Sequence, residues 1–342
     1  MSVVVQTVGG PVPVERLGRT LTHEHLLIDR THSPRIRANP SGPHIGDPIR
    51  LDNYYEIRRD HANFEDLRLT SVADAIAEIT PLQAAGIGTV VDVTPSGIGR
   101  DPLGLLAIAQ ATDVNVVMGC GYYVDQFHPA SLDTLGEDAI VDEILAEVTY
   151  GVAPTRIRAG VIGEIGLGWP PSPREISVLQ AAARAQRASG VALVIHPGRA
   201  PEAPFQCLEI VARVGGDRTR CVISHVDRTL FDLRDMCRLA DIGCYLSFDL
   251  FGVENSYYAP APIDMPNDAM RIDHIRQLFA AGFKRSVLIS QDICVKSRLA
   301  KYGGEGYAHI PQRVVPLFRR KGFSDEELDQ LLVRNPAAML TG

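Results

Sequence analysis

Lysine is nearly missing from this chain. Only Lys284, Lys296, Lys301 and Lys321 occur, all in its last fifth, so any chemistry needing an earlier lysine is excluded. None of the six cysteines (Cys120, Cys207, Cys221, Cys237, Cys244, Cys294) stands at C-x-x-C spacing, which argues against a thiolate metal site. With no export signal they read as reduced thiols of a cytoplasmic protein, most of them small hydrophobes in apolar runs. The N-terminal stretch lacks a basic region and reaches Gly9-Gly10-Pro11 too soon for a signal peptide. No apolar run approaches the roughly 18 residues of a membrane span. Acidic residues outnumber basic ones, 41 to 34, for a net charge of −7, which argues against nucleic acid as the main ligand. No G-x-G-x-x-G follows an early strand, and no short period runs through the chain.

What is present is a rhythm. With 342 residues, 45% of them apolar, the chain is ample for one large core. Short β-branched runs predict strands over Thr20–Leu26, Gly86–Thr94, Val114–Tyr123, Ala159–Gly166, Val191–Gly198, Cys221–Asp227, Cys244–Phe251 and Ser286–Asp292. A β-hairpin over Val3–Leu17, turning at Gly9-Gly10, precedes them. Amphipathic segments predict helices over Ser71–Ala85, Leu103–Thr112, Asp138–Val148, Pro173–Ser189, Pro204–Val214, Leu230–Ala240, Asp268–Ala281 and Asp325–Leu340. Ser172-Pro173-Arg174-Glu175 and Ser324-Asp325-Glu326-Glu327 carry capping-box signatures. Eight β/α units point to a single (β/α)8 TIM barrel, one domain over residues 1–342, rather than a doubly wound sheet. The polar, Pro- and Arg-rich segment Ser33–Asp66 is an insertion after the first strand, placed to act as a lid or side wall.

The informative feature is where polar residues interrupt the strands. His23 and His25 lie two apart, so they share a strand face and Glu24 faces away. Glu164, His196, His225 and Asp292 each close a later apolar run. Any one alone reads as a hydrogen-bonded core group. Six, all at strand C-terminal ends, read as metal ligands, since burying an unpaired carboxylate or imidazole is costly. Imidazoles and carboxylates without thiolate suit two divalent ions of the zinc class. His23, His25 and Asp292 are assigned to the more buried ion, His196 and His225 to the more exposed one, with Glu164 bridging both. Two such ions about 3.5–4 Å apart would activate a water near neutral pH.

The motifs THEHLLID, GEIGLGWP, HPGR, SHVDRT, DLFG and KYGGEGYAHI together resemble the phosphotriesterase family of the amidohydrolase superfamily, and within it the phosphotriesterase-related branch. The resemblance spans essentially the whole chain. It implies a binuclear metal-dependent hydrolase and a homodimer. Two departures stand out. Bacterial phosphotriesterases and related lactonases bridge their metals with a carboxylated lysine on the fourth strand, where this chain has Glu164. The lactonases carry an arginine after the seventh-strand aspartate, where this chain reads Asp249-Leu250-Phe251-Gly252.

The expected reaction is attack by a metal-bridging hydroxide on an ester, lactone or amide of a small molecule. Asp292 is expected to move the proton and Asp227 to relay it outward, or else to cap a turn near Thr229. Tyr122 or Tyr123 is expected to put a phenol into the pocket, and Arg199 and Arg228 to meet an anionic substrate group. Tyr302, Tyr307, His309 and Trp169 are candidate pocket lining. The alternatives are a phosphotriesterase proper and a non-catalytic metal- or ligand-binding barrel. A nucleotide-dependent barrel lacks a phosphate signature beyond Gly303-Gly304.

Overall fold

A computed structural model describes residues 3–31, 44–60 and 62–342. The opening hairpin pairs β1 (Val4–Thr7) antiparallel with β2 (Gly10–Pro13), turning through Gly9-Gly10. The first barrel strand is β3 (Arg19–Glu24). A small antiparallel pair, β4 (Ile28–Asp29) with β5 (Arg68–Leu69), brackets the insertion. The remaining barrel strands are β6 (Ile87–Asp92), β7 (Asn115–Met118), β8 (Ile162–Gly166), β9 (Leu193–His196), β10 (Cys221–Ile223), β11 (Tyr245–Phe248) and β12 (Val287–Ile289). β3, β6 and β7 pair in parallel, and so do β8 through β12 in sequence order. Two seams close the ring. At one, the Gly160 and Gly163 amides donate to the Met118 and Cys120 carbonyls at 2.9 and 2.7 Å. At the other, the Asp292 amide donates to the His23 carbonyl at 3.1 Å, and the His23 amide to Ser290 Oγ at 2.9 Å.

The apolar residues fall into two bodies. The larger lies between the strands and the surrounding helices and takes one face of each helix, such as Val178, Leu179 and Ala182 of Pro173–Ser189. The smaller fills the ring itself: Val91, Val117, Val194, Val222 and Leu288 come from strands on all sides. Val5 of the hairpin and Met339 and Leu340 of the last helix join this inner cluster and so plug the barrel floor. Polar ligands can therefore converge at only one end.

Both capping boxes form. Ser172 Oγ accepts from the Glu175 amide at 3.2 Å while Glu175 Oε2 accepts from the Ser172 amide at 2.8 Å, and Ser324 and Glu327 repeat the exchange. The C-terminal segment departs from expectation. Asp325–Asp329 and Asn335–Thr341 are α-helical, but Gln330–Arg334 between them widens to π geometry. Pro336 has no N–H to give to the regular ladder there.

The strands also end earlier than their apolar runs. β10 stops at Ile223 and β12 at Ile289, although the runs continue to Asp227 and Asp292. Beyond those points the ladder alternates: the Ser224, Ser290 and Asp292 amides still donate to the Ile195, Phe248 and His23 carbonyls, whereas the His225, Gln291 and Ile293 amides turn to the side-chain carboxylates of Asp249 and Glu24. The insertion is pinned rather than loose. Tyr54 Oη donates to the Ser297 carbonyl (2.6 Å), Arg58 pairs with Glu305 (2.8 Å), and Asp66 accepts from the Ser297 amide (2.7 Å). Its described part, with the short helix Tyr54–Asp60, is a side wall; residues 33–43 and 61 of the expected insertion lie outside the described residues. Among the described residues no helix is long and apolar enough to cross a membrane.

Leu288 is fully buried in the ring interior. Leu288→Ala is expected to lower unfolding stability by about 2–5 kcal/mol, read as a shift of the denaturant midpoint at unchanged slope.

Candidate metal centre

Six side chains singled out from the sequence meet at the C-terminal end of the ring. His23 and His25 come from the end of β3, Glu164 from within β8, and His196 from the last residue of β9. His225 and Asp292 follow β10 and β12 in left-handed backbone (φ 56° and 50°). For a residue with a Cβ that conformation costs about 1–2 kcal/mol, so both must be held in place by their surroundings. Gly163 has φ 121°, and a Cβ there would lie 2.2 Å from the Val194 carbonyl oxygen. Only glycine lets β8 come close enough to present Glu164.

The imidazoles are oriented by what holds their outward nitrogen. His225 Nδ1 donates to Asp249 Oδ1 at 2.6 Å, and its backbone amide also donates to Asp249. His25 Nδ1 sits 2.8 Å from Thr94 Oγ1, and His23 Nδ1 3.2 Å from Ser224 Oγ and 3.3 Å from Asp249 Oδ2. All three therefore turn Nε2 inward. His196 is reversed: Nδ1 faces the cluster, 3.0 Å from Glu164 Oε1, and Nε2 faces an Arg228 nitrogen at 3.1 Å. His25 Nε2 lies 3.2 Å from Asp292 Oδ1, and His225 Nε2 lies 2.9 Å from Glu164 Oε1.

The inward atoms fit a cation. His23, His25 and Asp292 offer donor atoms within 4.8 Å of one another, as do His23, Glu164 and His225. His23 Nε2 is buried and makes no well-aligned hydrogen bond, with Glu164 Oε1 3.3 Å away. His225 Nε2 and His196 Nδ1 stand 2.8 Å apart, two ring nitrogens aimed at one another that need a proton or a metal between them. The protonation pattern points the same way. Burial opposes charge on His23, yet Asp249, Glu164 and Asp292 outweigh it and lift the ring to about 9. His225 rises to about 10 against the same burial, chiefly through Asp249. Burial dominates at His196 and pushes it down to about 3. Burial also works against the Glu164 and Asp292 carboxylates, but the surrounding histidines hold both below the usual range. The site draws positive charge, and neutral imidazoles with anionic carboxylates are the ligands a divalent ion of the zinc class takes.

Two supporting carboxylates escaped the sequence reading. Asp249 buttresses both His225 and His23. Glu24, facing away as expected, accepts from the Gln291 amide (2.9 Å), the Ile293 amide (3.0 Å) and Ser290 Oγ (2.8 Å), and so clamps the residues on either side of Asp292. Their signal was the one that found Glu164, a carboxylate interrupting a strand run.

Above the cluster opens a cavity of about 400 Å³, lined by Tyr123, Arg199, Arg228, Asp292 and residues of the insertion. Tyr123 Oη lies 3.2 Å from His196 Nδ1. Tyr122 is not brought there: it is buried, and its hydroxyl donates to Glu143 at 2.7 Å behind the strand. Asp227 is not brought there either. Fully buried, it pairs with Arg271 at 2.6 Å and accepts from the Leu250 amide, so it neither faces the cavity nor caps at Thr229. Tyr307 donates to the His25 carbonyl (2.6 Å), His309 meets Asp268 (2.6 Å), and Tyr302 and Trp169 also stand outside the lining.

The sequence model of the Phosphotriesterase family matches residues 3–340. The chain belongs to the phosphotriesterase family. It is 40% identical to the N-acetyltaurine hydrolase of Rattus norvegicus, covering 98% of this chain and 97% of that one. A resiniferatoxin-binding protein from Rhodobacter sphaeroides superposes with a TM-score of 0.93 at 35% identity, covering 98% and 94% of the two chains. A variant of a Deinococcus radiodurans PTE-like lactonase superposes with a TM-score of 0.76 at 28% identity, covering 99% and 100%. This phosphotriesterase-family member is a hydrolase on a TIM-barrel scaffold, with candidate metal-ligand groups at the catalytic end of the ring.

Removing the Asp249 carboxylate frees the His225 ring and leaves its left-handed backbone unsupported. Asp249→Ala is expected to weaken divalent-ion affinity by about 10–100-fold in a chelator-competition titration, with far-UV circular dichroism unchanged.

Proposed function

We propose that this protein, working as one barrel domain over residues 1–342, is a binuclear divalent-metal hydrolase that cleaves the amide, ester or lactone bond of a small molecule. The observation that carries this reading is the buried Nε2 of His23, 3.3 Å from Glu164 Oε1 and 3.9 Å from Asp292 Oδ1, within a cluster of four imidazoles and two carboxylates that aim their donor atoms at one another. His23, His25 and Asp292 would hold one ion, and His196 and His225 the other, with Glu164 shared. Bound there, two ions of the zinc class supply a hydroxide nucleophile near pH 7 and polarise the scissile carbonyl.

The chain's own residues do the remaining work. Asp292 Oδ1, kept anionic beside His25 and His23, accepts the proton of the attacking water and delivers it to the departing nitrogen or oxygen. Glu24 holds Asp292 at that position through both neighbouring amides. Tyr123 Oη lies beside His196 on the cavity wall, placed to donate to the oxygen that gains charge. Asp249 keeps His225 in the tautomer with Nε2 free.

An amide is the favoured bond. The 40% identical rat relative is named for hydrolysing an N-acyl amine, and Glu164 replaces the lysine bridge of the phosphotriesterases.

Protein purified without chelator is expected to contain close to two divalent ions per chain by elemental analysis, and exhaustive chelation should abolish turnover. A screen over N-acyl amino acids, aryl esters, lactones and phosphotriesters should show N-acyl compounds turned over fastest. Asp292→Asn should lower kcat by about 10²–10⁴ while the protein stays folded. Metal-free protein with full activity, or full activity in Asp292→Asn, overturns the mechanism.

A further inference from the structure

The cavity wall holds more positive charge than the metal cluster uses. Three deeply buried arginines have their own carboxylates: Arg100 meets Glu147 at 2.6 Å, Arg271 meets Asp227 at 2.6 Å, and Arg298, on the cavity wall itself, meets Glu305 at 2.5 Å. Buried Arg228 and half-buried Arg30 line the cavity and break this pattern, while Arg199 stands exposed at its mouth. Among the described residues none of the three has a carboxylate within ion-pairing distance.

Arg228 is the sharpest case. It is only 2% exposed, and its contacts are all neutral: the Pro197 carbonyl at 3.2 Å, Thr229 Oγ1 at 3.3 Å and His196 Nε2 at 3.1 Å. Those contacts fix the planar guanidinium in one orientation without neutralising it. Arg30 donates to the Cys294 carbonyl at 3.1 Å, and its Nε is buried with no partner. Arg199 leans on Tyr258 at the mouth, its Nε 3.4 Å from the phenol oxygen. A guanidinium desolvated without a counter-charge, as that of Arg228 is, is costly to bury unless an anion joins it. Bidentate guanidinium forks match carboxylate and sulfonate oxygens.

We infer that Arg228, with Arg30 and Arg199, forms an anion subsite, so that this protein selects small acyl compounds bearing a carboxylate or sulfonate a short spacer from the scissile bond. This rests on the hydrolase reading above and adds to it the residues that set selectivity. Arg228 stands one imidazole away from the metal cluster, across His196, which is why the spacer is short. A neutral lactone or triester would leave the buried Arg228 charge unanswered.

The test uses metal-loaded protein and three substrates with the same two-carbon spacer: N-acetyltaurine, N-acetyl-β-alanine and the uncharged N-acetylethanolamine. Wild-type protein should favour the two anions over the alcohol in kcat/KM by at least tenfold to about a hundredfold. Arg228→Met should collapse that ratio, chiefly by raising KM for the anions, and Arg228→Lys should restore part of it. Arg30→Met supplies a second, independent loss of the same ratio. Thermal melts and metal content exclude misfolding as the cause. Equal kcat/KM for charged and uncharged compounds in the wild type, or an Arg228→Met ratio equal to the wild-type one, overturns the subsite while leaving the hydrolase intact. Metal-loaded protein inert toward all three and toward every compound of the broader screen fails the hydrolase reading itself.

Discussion

Four imidazoles and three carboxylates share a space from which water is largely excluded, and everything else in the molecule is arranged around that fact. Such groups cannot be buried without compensation. Asp249 and Glu164 draw protons onto His23 and His225, while burial keeps His196 neutral. The cluster is thus poised to accept positive charge, and it is open only where the ring opens. Below it the barrel is filled with apolar side chains and sealed by the hairpin and the last helix.

Compensation also explains the shape of the strand ends. A parallel strand normally spends its N–H groups on its neighbours. Past Ile223 and Ile289 the His225, Gln291 and Ile293 N–H groups go to Asp249 and Glu24 instead. This frees the backbone to enter the left-handed region at His225 and Asp292 and to turn those side chains into the ring. The strain is held by the buttressing carboxylates, so ligand geometry and supporting shell are one construction. The cavity above repeats the theme with the opposite sign. Its walls carry Arg30 and Arg228, whose counter-charge is not supplied by any described residue, and the insertion after β4 is stapled to the β11 and β12 loops to keep that wall in place.

Much of this was legible in the residues. The eight strands and their helices follow from period and punctuation, and observed boundaries differ from the predicted ones mostly at the polar strand ends. Six ligand candidates were found by one rule, a polar residue closing an apolar run, and all six converge. The same rule applied to Cys244–Phe251 would have flagged Asp249. Asp227 and Tyr122 went astray for a different reason. Each lies next to, or two residues from, a group that does reach the site, and sequence proximity does not fix which way a side chain turns. Asp227 turns back to Arg271, a partner 44 residues away in sequence, and Tyr122 turns to Glu143, 21 residues away.

The sequence by itself determined the fold class, the end of the barrel where chemistry is possible and the residue types available there. These depend on periodicity and on local polar interruptions, which are properties of short segments. The tertiary structure alone decided which nitrogen of each histidine points inward, which carboxylates act as supports, and which arginines keep an unspent charge. Those outcomes depend on partners brought together from distant segments by ring closure. The strength of a buried ionic contact is set by what surrounds it in space, and no local pattern encodes that.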